Sequence, residues 1–207
     1  MTNNKTAKVE LSRRRVLDAA ALIFRDRGYV GTTMRTIASR ARIEAASIYY
    51  HYPSKDKLIA AVLDFGMNAL YSAVKIAVSK LPSQATSRAR IETACNAHVS
   101  TILEHGDYML AMRRVFGQVP GEVWNRHMRL REAYGELWHE LLEDAQRAGA
   151  LRSDVDITIA RLFLLGGLNW TVEWYKHEKQ PIENITHTFS SLILDGLLVP
   201  AEKSDLK

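Results

Sequence analysis

Residues 33–58, TMRTIASRARIEAASIYYHYPSKDKL, leave few ways to fold. Met34, Ile37, Ala38 and Ala41 recur at the spacing of one face of a short helix, which Thr32 or Thr33 can cap. A tight turn follows, then a second short helix from about Ala45 to Tyr52. Pro53 stops it, because the residue before a proline is pushed away from helical ψ. Ser54 can cap a long helix running to about Lys80. Two helices so short and so closely joined must meet at a fixed angle. Ala38 and Ala41 let them touch, and Ile43 and Ile48 close the wedge. The second helix is left with an outer face of Ala45, Ala46, Ser47, Tyr50 and His51, with free backbone N–H groups at its start. Consecutive helical residues cannot all face one core, so Tyr50 and His51 are expected outside. Tyr49 is expected to pack at least partly inward, and Tyr52 can go either way.

The rest of the chain also reads as helix, and no alternating strand pattern of useful length interrupts it. Val16, Ala19, Ala20, Ile23 and Phe24 form one face of a first helix that Gly28 ends. Residues 1–8 are expected to be a disordered tail. Beyond Pro82 the pattern predicts helices over about 87–105, over 107–118 with Asp107 as its cap, and over 122–148 up to Gly149. Ser153 and Asp156 resemble a capping box for a helix over 154–178, and a last helix runs from Ile182 to about Leu198. The expected class is all-α, with an N-terminal three-helix unit over 9–54, a larger helical domain over 55–200 and a tail over 201–207.

Charge divides the chain unevenly. Residues 1–57 hold twelve Lys/Arg and five Asp/Glu, whereas residues 58–207 hold sixteen and eighteen. All the excess positive charge lies in the first quarter, which suits a polyanion whose counterions are released on binding. The plainer alternative is a solubilising basic tail. A single cysteine, Cys95, rules out an internal disulfide framework. No apolar leader and no long apolar run is visible, so a soluble cytoplasmic protein without membrane contact is expected.

The pattern T33-x-x-x-I37-A38-x-x-A41-x-I43-x-x-x-x-I48-Y49-Y50-H51-Y52-x-S54-K55-x-x-L58 resembles the DNA-binding domain of the TetR (tetracycline-repressor-like) family. The likeness covers about 50 residues including the first helix. It implies a helix-turn-helix whose second helix enters the major groove of an operator. By resemblance, Thr33, Ser47, Tyr50, His51 and Lys55 would hold phosphates, Arg35, Ala45 and Ala46 would face base edges, and Tyr49 belongs to the same set. This chain departs from the family at two places. Arg42 stands where the turn usually has glycine, and Glu44 where a short capping residue is usual. A left-handed arginine costs on the order of 1 kcal/mol, and Arg42 could use the position to reach a phosphate.

The resemblance also implies a ligand-binding, dimerising C-terminal domain. The residues support a dimer independently: Ile182, Ile185, Phe189, Leu192 and Gly196 recur like a helix seam. The preceding helix, with Ile159, Leu162, Phe163, Leu164, Leu165 and Leu168, is apolar nearly all round and must be covered on two sides. Gly166 and Gly167 would let another backbone approach. A four-helix interface between two copies follows, and two reading helices about 34 Å apart would match a palindrome. The alternative is that both helices fill their own core. Candidates for lining a ligand pocket are Met109, Met112, Arg113, Phe116, Trp124, Arg131, Trp138, Asn169, Trp170 and Trp174. The segment from Leu151 to Tyr175 resembles TetR-family regulators of lipid or steroid catabolism, some of which bind acyl-coenzyme A thioesters. Arg113, Arg114, Arg126, Arg129 and Arg131 would suit the phosphates of such a ligand. An unrelated apolar ligand, as in efflux-type regulators, is the alternative.

Other chemistry finds little support. A di-iron helix bundle needs two Glu-x-x-His motifs, and only Glu136-x-x-His139 is present, so a surface pair is expected. Cys95-x-x-His98 reads as a partly buried helical pair. No nucleophile elbow or phosphate-binding loop occurs, and nothing calls for a cofactor or an enzymatic activity. A non-specific nucleic-acid-packaging protein remains as a second class, distinguished by a steep salt dependence and little preference among sequences. A lipid carrier without DNA function would leave the basic helix pair unexplained.

Overall fold

The computed structural model describes residues 2–175 and 181–196, with side chains from residue 7 onward. Among them are nine α-helices and no strand: α1 Thr2–Arg27, α2 Met34–Ala41, α3 Ala45–His51, α4 Lys55–Ser79, α5 Ser87–Glu104, α6 Gly106–Arg114, α7 Gly121–Arg147, α8 Ile157–Trp174 and α9 Ile182–Leu194. The all-α expectation therefore holds. The chain divides into two compact units, one of residues 1–72 and 101–134, the other of residues 73–100 and 135–207. This division differs from the one expected at residue 54, because the start of α4, all of α6 and the first part of α7 belong with the N-terminal helices.

In the first unit α1 is longer than expected. It takes in residues 2–8, which continue the hydrogen-bonded turns of a helix whose later part is packed. Its expected face is buried at Val16, Ala19, Ala20 and Phe24, with Ile23 half-buried, but Leu17 and Ala21 are buried as well. Small residues at 19, 20 and 21 let neighbours close in on two sides of the helix. Helices α2 and α3 pack on α1, and so does α6. Gly28 ends α1 at φ 69° with its N–H on the carbonyl of Phe24 at 2.8 Å.

Of the two candidate caps for α2, Thr33 serves. Its Oγ1 accepts the N–H of Thr36 at 3.2 Å, and its own N–H donates to Thr36 Oγ1 at 3.2 Å. Thr32 is buried and donates its hydroxyl to the carbonyl of Gly28 at 2.6 Å. The expected cap of α6, Asp107, instead lies in its first turn and pairs with Arg25 of α1. The helix opens one residue earlier, after His105.

The second unit holds a core that includes Ile91, Cys95, His98, Trp138, Leu142, Leu164 and Leu168. The His98 ring stands edge-on to Trp138 with centroids 5.9 Å apart. Cys95 and His98 are thus fully buried, and no metal-ligating group of three residues occurs among the described residues. Glu136 is exposed and His139 half-buried. Helix α8 starts later than expected. Asp156 itself is the cap, accepting the N–H of Ile159 at 3.0 Å. Residues ahead of it form a turn because Gln146 Nε2 donates to the carbonyls of Arg152 and Val155, both at 2.9 Å. The expected ends of the last two helices, 176–178 and 197–198, and the tail over 201–207, lie outside the described residues.

Two buried histidines set an acid limit on stability. Burial pushes His98 down from 6.5 to about 3, against the opposing effect of its hydrogen bond with Asn169. In the first unit, burial and then the charge of Arg131 push His127 down from 6.5 to about 4, with Asp64 opposing. Both stay neutral when folded and take up protons when unfolded below their ordinary value. Stability should be full above about pH 7 and fall as the pH drops through 6.5 toward 4, by up to about 1.4 kcal/mol per unit for each histidine. Urea unfolding at pH 7.5, 6.0 and 5.0 checks this; a midpoint that does not move would contradict it.

Candidate functional site

The helix pair builds its outer surface by leaving one side of each helix without a partner. In α2 the buried residues are Met34, Ile37, Ala38 and Ala41, so Thr33 and Arg35 are exposed on the other side. In α3 only Ile48 is buried, and Ala45, Ala46, Ser47, Tyr49 and Tyr50 are exposed. Tyr50 is 77% exposed, the most open aromatic side chain among the described residues, and its ring meets that of His51 edge-on at 5.4 Å.

The turn between α2 and α3 takes the strained form expected of it. Arg42 adopts φ 55° and ψ 48°, and among the described residues no other non-glycine residue has a positive φ. Its N–H reaches the carbonyl of Ser39 at 3.1 Å, and the N–H of Ile43 reaches that of Ala38 at 3.1 Å. This pair of bonds is the Schellman closure, which usually has glycine at the left-handed position. The arginine side chain is exposed. The guanidinium of Arg15, reaching from α1, donates to the carbonyl of Ala41 at 2.8 Å and so satisfies the end of α2. Glu44 precedes α3 without a side-chain capping bond, consistent with its departure from the usual short residue.

Three side chains are placed differently from expectation. Lys55 does not point freely outward. Its Nζ donates to the carbonyls of Tyr29 at 3.0 Å and Thr32 at 3.1 Å and sits 4.1 Å from the Tyr29 ring centroid. Tyr29 in turn donates its hydroxyl to Asp56, and burial first, then that bond, pushes its pKa up to about 12. The start of α4 thereby clamps the loop that leads into α2. His51 is half-buried, with Nε2 2.9 Å from the hydroxyl of Ser12 on α1. Tyr49, expected partly inward, is 53% exposed, while Tyr52 is the aromatic that packs inside, beneath the Arg13 guanidinium. One residue's rotation around a helix separates these outcomes. The clamp, the Arg15 cap and the Ser12 contact join residues far apart in the chain, and no local pattern announces them.

The pocket candidates are placed as follows. In the first unit Met109 is buried, close to Gly66 of α4, where an added Cβ would lie 3.2 Å from its methyl group. Phe116 stands edge-on to Trp124 at 4.8 Å, Met112 is half-buried, and Arg113 and Arg131 are exposed. In the second unit Trp138 is buried, Asn169 hydrogen-bonds to His98, and Trp170 and Trp174 are 50% and 43% exposed. A cavity of about 150 Å³ opens in the first unit between α4 and α7, lined by Met67, Asn68, Tyr71, Leu130 and Ala133. None of these was a candidate. A trace of it is present in α4, where Asp64, Asn68 and Tyr71 fall on one face of an otherwise apolar stretch over 58–71.

The dimer candidates also sort by exposure. Ile159, Leu162 and Phe163 of α8 are exposed, and Gly166 has open space where a side chain would stand. Gly167 is filled from within, since Phe189 of α9 would come within 2.9 Å of an added Cβ. Ile185 is buried in its own unit rather than presented to a second copy, and Leu192 is half-buried. Gly196 follows the end of α9 at φ 80°. The apolar seam of α9 thus serves the protomer's own packing at Ile185 and Phe189, because α8 offers it a glycine notch.

Two short helices packed on α1 and on each other, the second with one bare face and with Arg35, Arg40 and Arg42 exposed on the first helix and the turn, have the form of a helix-turn-helix DNA-binding unit. The comparisons agree. Residues 16–62 match the model of the bacterial regulatory proteins of the tetR family, and residues 84–197 match the tetracyclin repressor-like C-terminal domain. The HTH-type transcriptional repressor KstR2 of Rhodococcus jostii (strain RHA1) is 30% identical over 190 residues, spanning 91% of this chain and 92% of that protein. The crystal structure of the probable transcriptional regulatory protein RHA5900 is 28% identical, with a TM-score of 0.75, over 91% of this chain and 100% of that one. The crystal structure of AibR in complex with isovaleryl coenzyme A and operator DNA shares the fold at 23% identity and a TM-score of 0.76, over 88% of this chain and 98% of that one. The chain belongs to the TetR family of ligand-responsive, DNA-binding transcriptional regulators, proteins that act as dimers on operator DNA and are not enzymes.

Two substitutions separate scaffold from contact. Arg42→Gly should raise unfolding stability by about 1 kcal/mol, since glycine adopts the left-handed turn without strain; chemical denaturation reads this, and a lower midpoint would refute it. Lys55→Met should lower stability by roughly 1–3 kcal/mol through lost charge-assisted hydrogen bonds. It should also leave the salt dependence of DNA binding unchanged. A slope of log affinity against log salt reduced by about 1, with stability intact, would instead make Lys55 a phosphate contact.

Proposed function

We propose that this regulator is a repressor released from a palindromic operator by a coenzyme A thioester of a small apolar acid. In this reading Thr33, Arg42, Ser47, Tyr49 and Tyr50 hold phosphates, Arg35 reads a base edge, and Ala45 and Ala46 allow close approach. Lys55 and His51 support the surface from behind. The exposed α8 face of Ile159, Leu162, Phe163, Gly166, Trp170 and Trp174 meets a second copy, so Trp170 and Trp174 serve the dimer rather than the pocket. A reader of DNA acts in the cytoplasm.

The observation that carries the ligand reading is the α4–α7 cavity in the same compact unit as the DNA-reading helices. Helix α4 runs from the Lys55 clamp to Tyr71 at the cavity, a span of about 24 Å at the rise of an α-helix. A ligand that moves Met67 and Tyr71 moves the rod that holds the loop into α2. Exposed arginines on α6 and α7, Arg113, Arg114, Arg129 and Arg131, suit phosphate groups outside an apolar cavity. AibR, a neighbour in fold, holds isovaleryl coenzyme A together with operator DNA. Displacing one reading head by a few Å is enough to prevent two half-sites from being engaged together.

Two measurements test these roles. Tyr50→Ala should weaken binding to specific and scrambled DNA alike, whereas Arg35→Ala should also reduce the preference between them, by about 1–3 kcal/mol for a bidentate guanine contact. Gel-shift titration of both variants on both DNAs reads this, and identical behaviour of the two would overturn the division. For the ligand, mass spectrometry of what co-purifies, followed by its addition to the DNA complex, should show release. A complex that survives saturating acyl thioesters but yields to another apolar compound would favour the efflux-type reading.

A further inference from the structure

We propose that Ser12 is a positioning residue for DNA binding: its hydroxyl donates to Nε2 of His51 and so keeps the imidazole proton on Nδ1, which donates it to a DNA phosphate. The inference rests on the reading of α3 as the helix that meets DNA, and it gives α1 a part in a contact that α1 does not itself make. His51 is the last residue of α3, and its Nε2 lies 2.9 Å from Ser12 Oγ, across 39 residues of chain. Both side chains are half-buried. Among the described residues the Ser12 hydroxyl makes no other hydrogen bond. The second ring nitrogen, Nδ1, has no hydrogen bond and is not buried. One nitrogen is thus held by the protein, and the other is open to solvent. Ser47, one turn earlier on the same side of α3, is exposed.

A phosphate diester oxygen only accepts hydrogen bonds, so the nitrogen that faces it must carry a proton. A neutral imidazole has one N–H and one lone pair, and the bond made at one nitrogen decides which of them sits at the other. A hydroxyl donating to Nε2 leaves the proton on Nδ1, where DNA can use it. A carboxylate in the place of Ser12 would do the reverse, drawing the proton to Nε2 and turning a lone pair toward the phosphate. The same side of α1 also holds the preceding helix. Arg15, three residues after Ser12, donates to the carbonyl of Ala41 at 2.8 Å, at the end of α2. One stripe of α1 thus grips the C-terminal ends of both short helices. The Tyr50 ring stands edge-on to the imidazole at 5.4 Å, so a fixed His51 also limits where that ring can turn. His51 supports the surface through Nε2 and reaches DNA through Nδ1.

The test uses the full-length protein with Ser12→Ala, Ser12→Thr, His51→Phe and the double variant Ser12→Ala/His51→Phe, and with Tyr50→Ala as a control for the outer face of α3. The probe is a random-sequence DNA duplex of about 30 base pairs, long enough for both reading helices of a dimer. A phosphate contact does not depend on sequence, so no operator is required. Fluorescence anisotropy over a range of salt reads the affinity. Ser12→Ala should weaken binding by about 3- to 10-fold, the worth of one hydrogen bond, and Ser12→Thr should restore it. In the His51→Phe background Ser12→Ala should have no further effect. The slope of log affinity against log salt should match wild type in Ser12→Ala, because a neutral donor releases no counterion. Two-bond proton–nitrogen correlation spectra of histidine-labelled protein on the duplex read the tautomer, with the His51 signal identified by its loss in His51→Phe. They should show Nδ1–H in the wild type and a shift toward Nε2–H in Ser12→Ala. Nε2–H in the wild-type complex, or Ser12→Ala costing as much beside His51→Phe as alone, overturns the proposal. Tyr50→Ala binding as tightly as wild type removes the reading of α3 as the DNA-facing helix, and this proposal with it. Weakened binding in Tyr50→Ala beside an unchanged Ser12→Ala overturns the proposal alone.

Discussion

Everything in the first unit depends on α1 being buried from two sides at once. Ala19, Ala20 and Ala21 follow one another in the chain and so point in three directions, yet all are buried. A larger side chain at any of them would separate α1 from α2 and α3 or from α6. Close approach is what turns two helices of eight and seven residues into a rigid reading head. Helices so short have no stability of their own and take it from the surface they pack on.

The same helix connects the head to α6. Asp18 of α1 accepts the Tyr108 hydroxyl and the Arg14 guanidinium, Arg25 pairs with Asp107, and the N–H of Tyr29 donates to Gln118 Oε1 at 3.0 Å. Exposed ion pairs contribute little to stability. Here they set the register of α6 on α1, next to the Lys55 clamp at the start of α4. Two elements therefore hold the head: α4 from its N-terminal end, and α6 through α1.

Most of the helices were legible because the 3.6-residue period and the Gly and Pro breaks are local. Gly28, Pro53 and Gly149 end helices where the pattern says they should. The misreadings have local rivals as their cause. Ser153 looked like a cap, but Gln146 holds the intervening carbonyls in a turn and leaves the role to Asp156. Asp107 looked like a cap and became a partner for Arg25. Tyr49 came out more exposed than expected and Tyr52, left open, packed inside, because a heptapeptide helix gives too few turns to define its inner face. The left-handed Arg42 was legible from its place in the motif alone.

By itself the sequence determined the helical class, the pair of short helices with their basic surroundings, and the resemblance that names the family. Those features are written in neighbouring residues, and the physics that reads them is short-ranged. The tertiary structure alone decided that Lys55 and His51 reach back to Tyr29, Thr32 and Ser12, that α9 spends Ile185 and Phe189 on its own protomer, and that a cavity opens between α4 and α7. Each of these depends on which side chains meet across tens of residues. Helical spacing fixes the face a residue shares, and only packing fixes what that face touches.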